Sequence, residues 1–327
     1  MKKRLFRAAA VLMALLLLPA YLCAAEGELP PSPEPPAGTI GRPTPAPTAV
    51  PTEIIIDQVH NPEQYPGFTF QPGKKILDIW IPNIKDADEA ILIYDGTVWM
   101  IDCGDEKAGA RGARMIRQLG IKNVDVLFNT HPHHDHIDGL AQTCGETKIG
   151  ELRICFPPVS TESGLRMIQT AMDLKIPVKE YKDGDSFSMG DGAVRMEVYK
   201  NNEEHLDMNS QSAQMRITYG ERSILFTADM EQPGQEAMVK RIAPDALKCD
   251  IIKYPHHAKS GLFPEYYEAL QAQLAVVTSF EGRGDSGQRF LSNRHLPTVY
   301  TSVDGKFTHL ATDGAYWLCE QVPITAE

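Results

Sequence analysis

Apolar positions between residues 73 and 320 fall into short runs that alternate like strands, separated by single stretches with helical spacing. Ile76-Leu77-Asp78-Ile79-Trp80-Ile81 alternates apolar and polar and predicts a strand. Ala90 to Tyr94, then Asp95-Gly96, then Thr97 to Ile101 predicts a hairpin closed by an Asp-Gly turn. Residues 106 to 119 space Ala110, Ala113, Met115, Ile116 and Leu119 along one helical face, and Gly120 supplies a C-terminal stop.

The later chain repeats this grammar. Short strands are expected over Leu152 to Phe156 and Val194 to Tyr199, with a helix over Gly164 to Leu174. Ser212 to Thr218 and Ser223 to Thr227 predict a second hairpin, followed by a helix over Glu231 to Ile242. Asp250 to Tyr254 and Leu274 to Thr278 are two further strands. Hairpins and single helices in both halves predict an α+β fold, a four-layer αββα sandwich of two mixed sheets, rather than a doubly wound parallel sheet. No internal repeat recurs at a fixed period.

The N-terminus has a different pattern. Lys2, Lys3, Arg4 and Arg7 precede an apolar run from Ala8 to Ala20, and Cys23-Ala24-Ala25 offers small residues for cleavage before Glu26. This predicts a signal peptide over residues 1–25 and a secreted or extracellular chain. The run is short for a membrane span, which needs about 20 residues. Tethering to the membrane by an uncleaved N-terminus is the alternative. Residues 26–72 carry closely spaced prolines and read as an extended Pro-rich linker, suited to holding a folded domain at 73–320 away from a surface.

Charge narrows the partners. The formal net charge is −11, and cleavage after Ala25 would remove four cations and no acids, leaving −15. Such a chain gains no general attraction to phosphate backbones, so strong general nucleic-acid binding is not expected. The six cysteines include no CxxC pair, which fits neither a disulfide framework nor a zinc ribbon.

The strongest chemical signal is Thr130-His131-Pro132-His133-His134-Asp135-His136, directly after the apolar run Val124 to Phe128. It holds four of the chain's ten histidines. Neutral imidazole and carboxylate suit zinc, manganese or iron. Alternation lets His131 and His133 share one ion, while Asp135 and His136, beyond the turn, can reach a second. Asp229 closes the apolar strand Ile224 to Ala228, where a carboxylate without a cation is costly, and is the candidate bridge. Its bland reading is a helix N-cap. His256 and His257 follow another strand end. One is expected to bind metal, with His256 slightly preferred, and the other to touch substrate or backbone. Asp102 is expected to orient a ligand histidine through its ring N–H. His134 reads as solvent-facing, Tyr254 as core, and His60 and His309 as surface or packing residues.

These segments resemble the metallo-β-lactamase superfamily, whose HxHxDH signature matches His131, His133, Asp135 and His136. The branch they resemble most is the hydrolase domain of ComEC-type competence proteins. Asn209-Ser210-Gln211-Ser212 is similar to its NxxS motif. Phe226 to Asp229 is similar to its LTGD strand end, and Pro255 to Ser260 to its HHGS element, each with alanine in place of glycine. The resemblance runs over roughly residues 75 to 318 and implies the αββα sandwich already read from the pattern. It departs in one respect: the wider superfamily's third histidine for the first metal is absent, and its place falls near Asn209 and Ser212, with His205 four residues earlier as a substitute.

The resemblance implies a secreted metal-dependent hydrolase using a metal-bound hydroxide, with one or two Zn2+ ions, or Mn2+, as cofactor. Asp135 would orient the nucleophile or take its proton. His295, similar to a late HP element, or Lys259 would offset charge on a departing phosphate; the other reading of His295 is a helix cap. The branch implies phosphodiester chemistry, and the acidic surface favours a small or choline-like phosphoester or a short oligonucleotide. Alternatives are lactone or β-lactam hydrolysis, and a non-catalytic, metal-stabilised binding module on the cell surface.

Overall fold

A computed structural model describes residues 54–56 and 69–325. The expected signal peptide, most of the linker and His60 lie outside the described residues. Eighteen strands and eight α-helices follow in chain order among the described residues. The first half runs β1 (Ile54–Ile56), β2 (Leu77–Ile81), β3 (Glu89–Tyr94), β4 (Thr97–Cys103), α1 (Glu106–Leu119), β5 (Asn123–Val124), β6 (Val126–Asn129), α2 (His134–Ile137), α3 (Leu140–Glu146), β7 (Lys148–Ile149), β8 (Leu152–Ile154), α4 (Glu162–Asp173) and β9 (Val178–Glu180). The second half runs β10 (Ser186–Met189), β11 (Val194–Tyr199), β12 (Gln214–Tyr219), β13 (Arg222–Phe226), α5 (Gln232–Arg241), α6 (Pro244–Leu247), β14 (Ile251–Lys253), α7 (Pro264–Leu270), β15 (Leu274–Val277), α8 (Ser286–Asn293), β16 (Thr298–Tyr300), β17 (Lys306–Thr312) and β18 (Trp317–Pro323).

Two large sheets result. The first has the order β1-β18-β17-β2-β3-β4-β6-β8-β9, the second β10-β11-β12-β13-β14-β15-β16. In each, antiparallel hairpins feed a run of parallel strands: β4, β6, β8 and β9 in one, β13 to β16 in the other. Strand alternation sorts the apolar residues into three layers. Leu92 and Ile101 of the first sheet meet Met215 and Ile224 of the second in the central core. Met100 and Leu127 face the other way, under Ile116 of α1 and Ile168 of α4. Ile252 and Val277 face Met238 of α5 and Tyr266 of α7. The architecture is therefore the αββα sandwich.

Several local expectations meet their elements. Asp95 and Gly96 both adopt positive φ at the β3–β4 turn, as a tight hairpin with this twist requires. Helix α1 starts at Asp105, whose side chain accepts from the Ala108 N–H, and ends at Gly120 in the left-handed conformation. Ile54–Ile56 pairs in parallel with β18, so the folded unit takes in a strand from the Pro-rich segment. Three consecutive isoleucines are strong strand formers, and β18 supplies the partner edge.

Two contacts position the site. Gly139, between α2 and α3, has its N–H on the Gly104 carbonyl at 2.9 Å. A Cβ there would collide with the Cys103 carbonyl at the end of β4. On the outer face of the first sheet, His309 stacks on Trp80 with ring centroids 3.9 Å apart. Its Nδ1 lies 2.7 Å from Glu320 and its Nε2 2.9 Å from Asp78. Burial opposes its charge, but hydrogen bonds to both carboxylates outweigh that and raise its pKa.

Two outcomes follow from these contacts. Gly139→Ala should destabilise the protein by about 2–3 kcal/mol, because backbone rather than a side-chain tip must move; an unchanged denaturant midpoint contradicts this packing. His309 is more basic folded than unfolded, so its contribution is complete below about pH 6.5 and fades as pH rises through the raised folded value. His309→Gln should cost on the order of 1 kcal/mol near pH 5.5 and progressively less in alkali. A deficit that grows with pH in paired melting curves contradicts the assignment.

Candidate metal centre

The parallel strands of both sheets end on one side of the sandwich. Each apolar strand run gives way there to polar residues: Asp102 at the end of β4, Thr130 and His131 after β6, Asp229 after β13, His257 after β14 and Thr278 after β15. Asp88 arrives from the antiparallel direction, one residue before β3. His133 caps the one-turn helix α2, which carries Asp135 and His136 inward.

Asp135, His136, Asp229 and His257 form one buried group, each offering an atom within 4.8 Å of the others. His136 Nε2 lies 3.2 Å from Asp229 Oδ1. His257 Nε2 lies 3.4 Å from Asp135 Oδ2 and 3.6 Å from Asp229 Oδ1. His136 Nε2, Asp229 Oδ1 and His257 Nε2 are all buried without a hydrogen-bond partner. Buried polar atoms are rarely left so. Burial alone would raise Asp229, yet the charges of His136 and His257 hold it well below the usual carboxylate range. Burial would lower His136, yet Asp229 and Asp102 push it well up. The imidazoles thus balance the carboxylates only by carrying protons on the atoms a dication would coordinate. A site of two nitrogens and two carboxylates fits a borderline divalent ion.

His131 and His133 form a neighbouring pair, with Nε2 of the first 3.0 Å from Nδ1 of the second. His131 is fully buried, and burial drives its pKa well down, so it is a neutral donor. Its ring centroid is 4.1 Å from that of His136. The Ala213 N–H donates to the Thr130 carbonyl at 3.1 Å, which joins the end of the Asn209–Ser212 segment to the residue before His131. Asn209 Oδ1 and Ser212 Oγ are buried there without partners. His205 is exposed and lines a separate groove with Glu203 and Lys240.

Each inner imidazole is backed by a carboxylate. Asp102 Oδ2 is 2.7 Å from His136 Nδ1, and Asp102 is itself held by the Asn129 amide, the Thr130 N–H and the Thr130 hydroxyl. Asp88 Oδ1 is 3.3 Å from His257 Nδ1 and accepts from the Thr278 hydroxyl at 2.7 Å. Its other oxygen pairs with the buried Lys253 ammonium. Burial would raise Asp88, but Lys253 and His257 hold it below the carboxylate range. Asp88, Thr278 and Lys253 were not anticipated from the sequence. A signal was present: a lysine interrupting the run Ile251-Ile252-Lys253-Tyr254 is out of place in a parallel strand buried on both faces.

Other candidates fall elsewhere. Of the paired histidines, His257 is the one gathered into the buried group, while His256 sets Nδ1 2.9 Å from Glu231 and Nε2 3.6 Å from Asp229 Oδ2. His295 is not brought to the site. It is exposed, and its N–H caps the end of α8 just before β16, at the opposite end of the parallel strands. Of its two expected roles, substrate-side donor and helix cap, its backbone N–H on the Ser292 carbonyl fits the cap. His134 is exposed and Tyr254 is fully buried, as expected. Asp229 is not the N-cap of α5; Glu231 occupies that position.

The loops carrying these ligands are conformationally costly. Ala228, His256, His257 and Ala258 all have positive φ, between 47° and 64°. An L-residue pays roughly 1–2 kcal/mol in this region. Ala228 and Ala258 stand where the resembling motifs carry glycine, so the geometry is retained without the residue that eases it.

The metallo-beta-lactamase superfamily profile matches residues 89–274. ComE operon protein 3 of Bacillus subtilis is 27% identical over 161 residues, covering 49% of this chain and 20% of that one. A ribonuclease Z of Methanopyrus kandleri is 29% identical over 124 residues, covering 37% of this chain and 42% of that one. The matches thus span less than half the length of either relative. Among solved structures, the metallo-beta-lactamase fold protein YhfI of Bacillus subtilis aligns with 69% of this chain and 96% of its own at 13% identity and a TM-score of 0.43. With the profile covering more than half of its residues, from the start of β3 to the start of β15, the chain belongs to the metallo-beta-lactamase superfamily.

Proposed function

We propose that this chain is an exported metal-dependent hydrolase acting on phosphodiesters. The observation that carries the reading is the convergence of three buried, partnerless atoms, His136 Nε2, Asp229 Oδ1 and His257 Nε2, beside Asp135. His131 and His133 offer a second position, which Ser212 or Asn209 can complete. Divalent ions held by these residues, zinc or manganese, would supply a water of lowered pKa, near 7, and would polarise the electrophile's oxygen.

The chain's own groups do the rest. Asp135, at 8% the most exposed of these carboxylates, orients the attacking water and takes its proton. Asp102 fixes the His136 ring so that Nε2 points inward. Lys259, at the cap of the His256–His257 turn, is half-buried and suited to offset charge on a departing phosphate. Phosphodiester chemistry is supported by the relatives named ribonuclease Z and by the ComEC-like resemblance. The net charge of −11 disfavours a long polyanion, so a small phosphoester or a short oligonucleotide is the proposed substrate. The basic, apolar and small-residue order of residues 1–25 supports export, with the Pro-rich segment as a spacer at the cell surface.

Purified protein loaded with zinc or manganese should turn over bis-p-nitrophenyl phosphate and leave nitrocefin intact. Asp135→Ala and His133→Ala should each lower that rate at least 100-fold while the far-ultraviolet circular dichroism stays native. Nitrocefin turnover without diester turnover points to lactam chemistry instead. A metal-loaded protein inert to every ester class points to a binding module.

A further inference from the structure

Lys253 is almost wholly buried, at 2% exposure, on a strand whose other residues are Ile251 and Ile252. Alternation places it on the inter-sheet side, following Ile251. An ammonium in that position costs free energy unless it is paired and hydrogen-bonded. Lys253 Nζ meets the Asp88 carboxylate and donates to the Ala228 carbonyl at 3.1 Å. The same Ala228 carbonyl accepts from the His256 N–H at 3.0 Å.

These contacts join three separate segments. Ala228 precedes Asp229 in a left-handed conformation, and His256 and His257 form the equally constrained turn after β14. Asp88 reaches across from the first sheet. Its Oδ1 accepts from Thr278, whose hydroxyl lies 2.9 Å from His257 Nδ1. One charged side chain thus links the backbone that aims Asp229 to the carboxylate that aims His257. Strained turns persist only where surrounding contacts over-determine them.

We infer that Lys253 and Asp88 form a positioning pair that clamps the Asp229 and His257 loops, presenting Asp229 Oδ1 and His257 Nε2 to the divalent ion. Neither residue belongs to the Asp135, His136, Asp229 and His257 group. Their role rests on the metal-centre reading above and extends it to residues outside the ligand set. A purely structural ion pair would support the fold equally well after both charges are removed together, and would leave the ion's surroundings unchanged.

The test uses the folded chain and Co2+ as the probe. Affinity is measured by titration, and the d–d absorption bands report ligand geometry. Lys253→Met and the double replacement Lys253→Met with Asp88→Asn should bind Co2+ roughly 10- to 100-fold more weakly than wild type, with altered bands. Lys253→Met alone leaves a buried carboxylate unpaired and can fail to fold, so the double replacement removes the pair as a unit. Thr278→Val deletes one hydroxyl and no charge, and should weaken binding several-fold. Wild-type affinity and bands in any of these variants that folds overturn the positioning role. Wild-type protein that binds no Co2+ overturns the metal-centre reading itself, which separates the two failures.

Discussion

Buried negative charge at the strand ends is the constraint around which this molecule is organised. Asp135 and Asp229 gather with His136 and His257, and Asp88 and Asp102 gather on the other side of His136, all four carboxylates less than a tenth exposed. Lys253 neutralises one of them. Asp102 is held by the Asn129 amide, the Thr130 N–H and the Thr130 hydroxyl, while Asp135 and Asp229 face His136 and His257. Carboxylates so placed are unfavourable in a low-dielectric interior without such compensation. An ion at His136, Asp229 and His257 satisfies the partnerless atoms and the excess charge together.

The fold explains how residues from distant parts of the chain can meet there. Two sheets, each turning from antiparallel hairpins to parallel strands, bring every parallel strand to an end on the same side. Continuous apolar runs anchor each strand in two of the three apolar layers, and the residues immediately after each run have no apolar neighbours to join. Gly139 lets the loop bearing Asp135 and His136 lie directly against the end of β4. Asp102 then reaches His136 with no intervening residue.

Much of this was legible in the sequence because it depends on local rules. Helix α1, its glycine stop and the Asp95-Gly96 hairpin follow from periodicity and turn chemistry within a few residues. The HxHxDH segment and Asp229 stood out as polar groups closing apolar strands. What escaped depends on long-range pairing. Strand β17 lies between β2 and β18, over two hundred residues from β2, and no local pattern specifies that neighbour. Asp88 acquires its role only when β3 delivers it across the sandwich to Lys253. His295 shows the converse: a histidine near a proline looked chemical by motif, yet it ends a surface helix away from the cluster. His256 and His257 both sit in left-handed backbone that no periodicity encodes, so spacing alone does not say which ring joins the group.

Anomalous diffraction at the zinc edge, from crystals grown with zinc, tests the account most directly. It predicts a peak enclosed by the side chains of Asp135, His136, Asp229 and His257, with any second peak beside His131 and His133. Zinc found only on surface carboxylates, with those four side chains turned from one another around empty density, would contradict it.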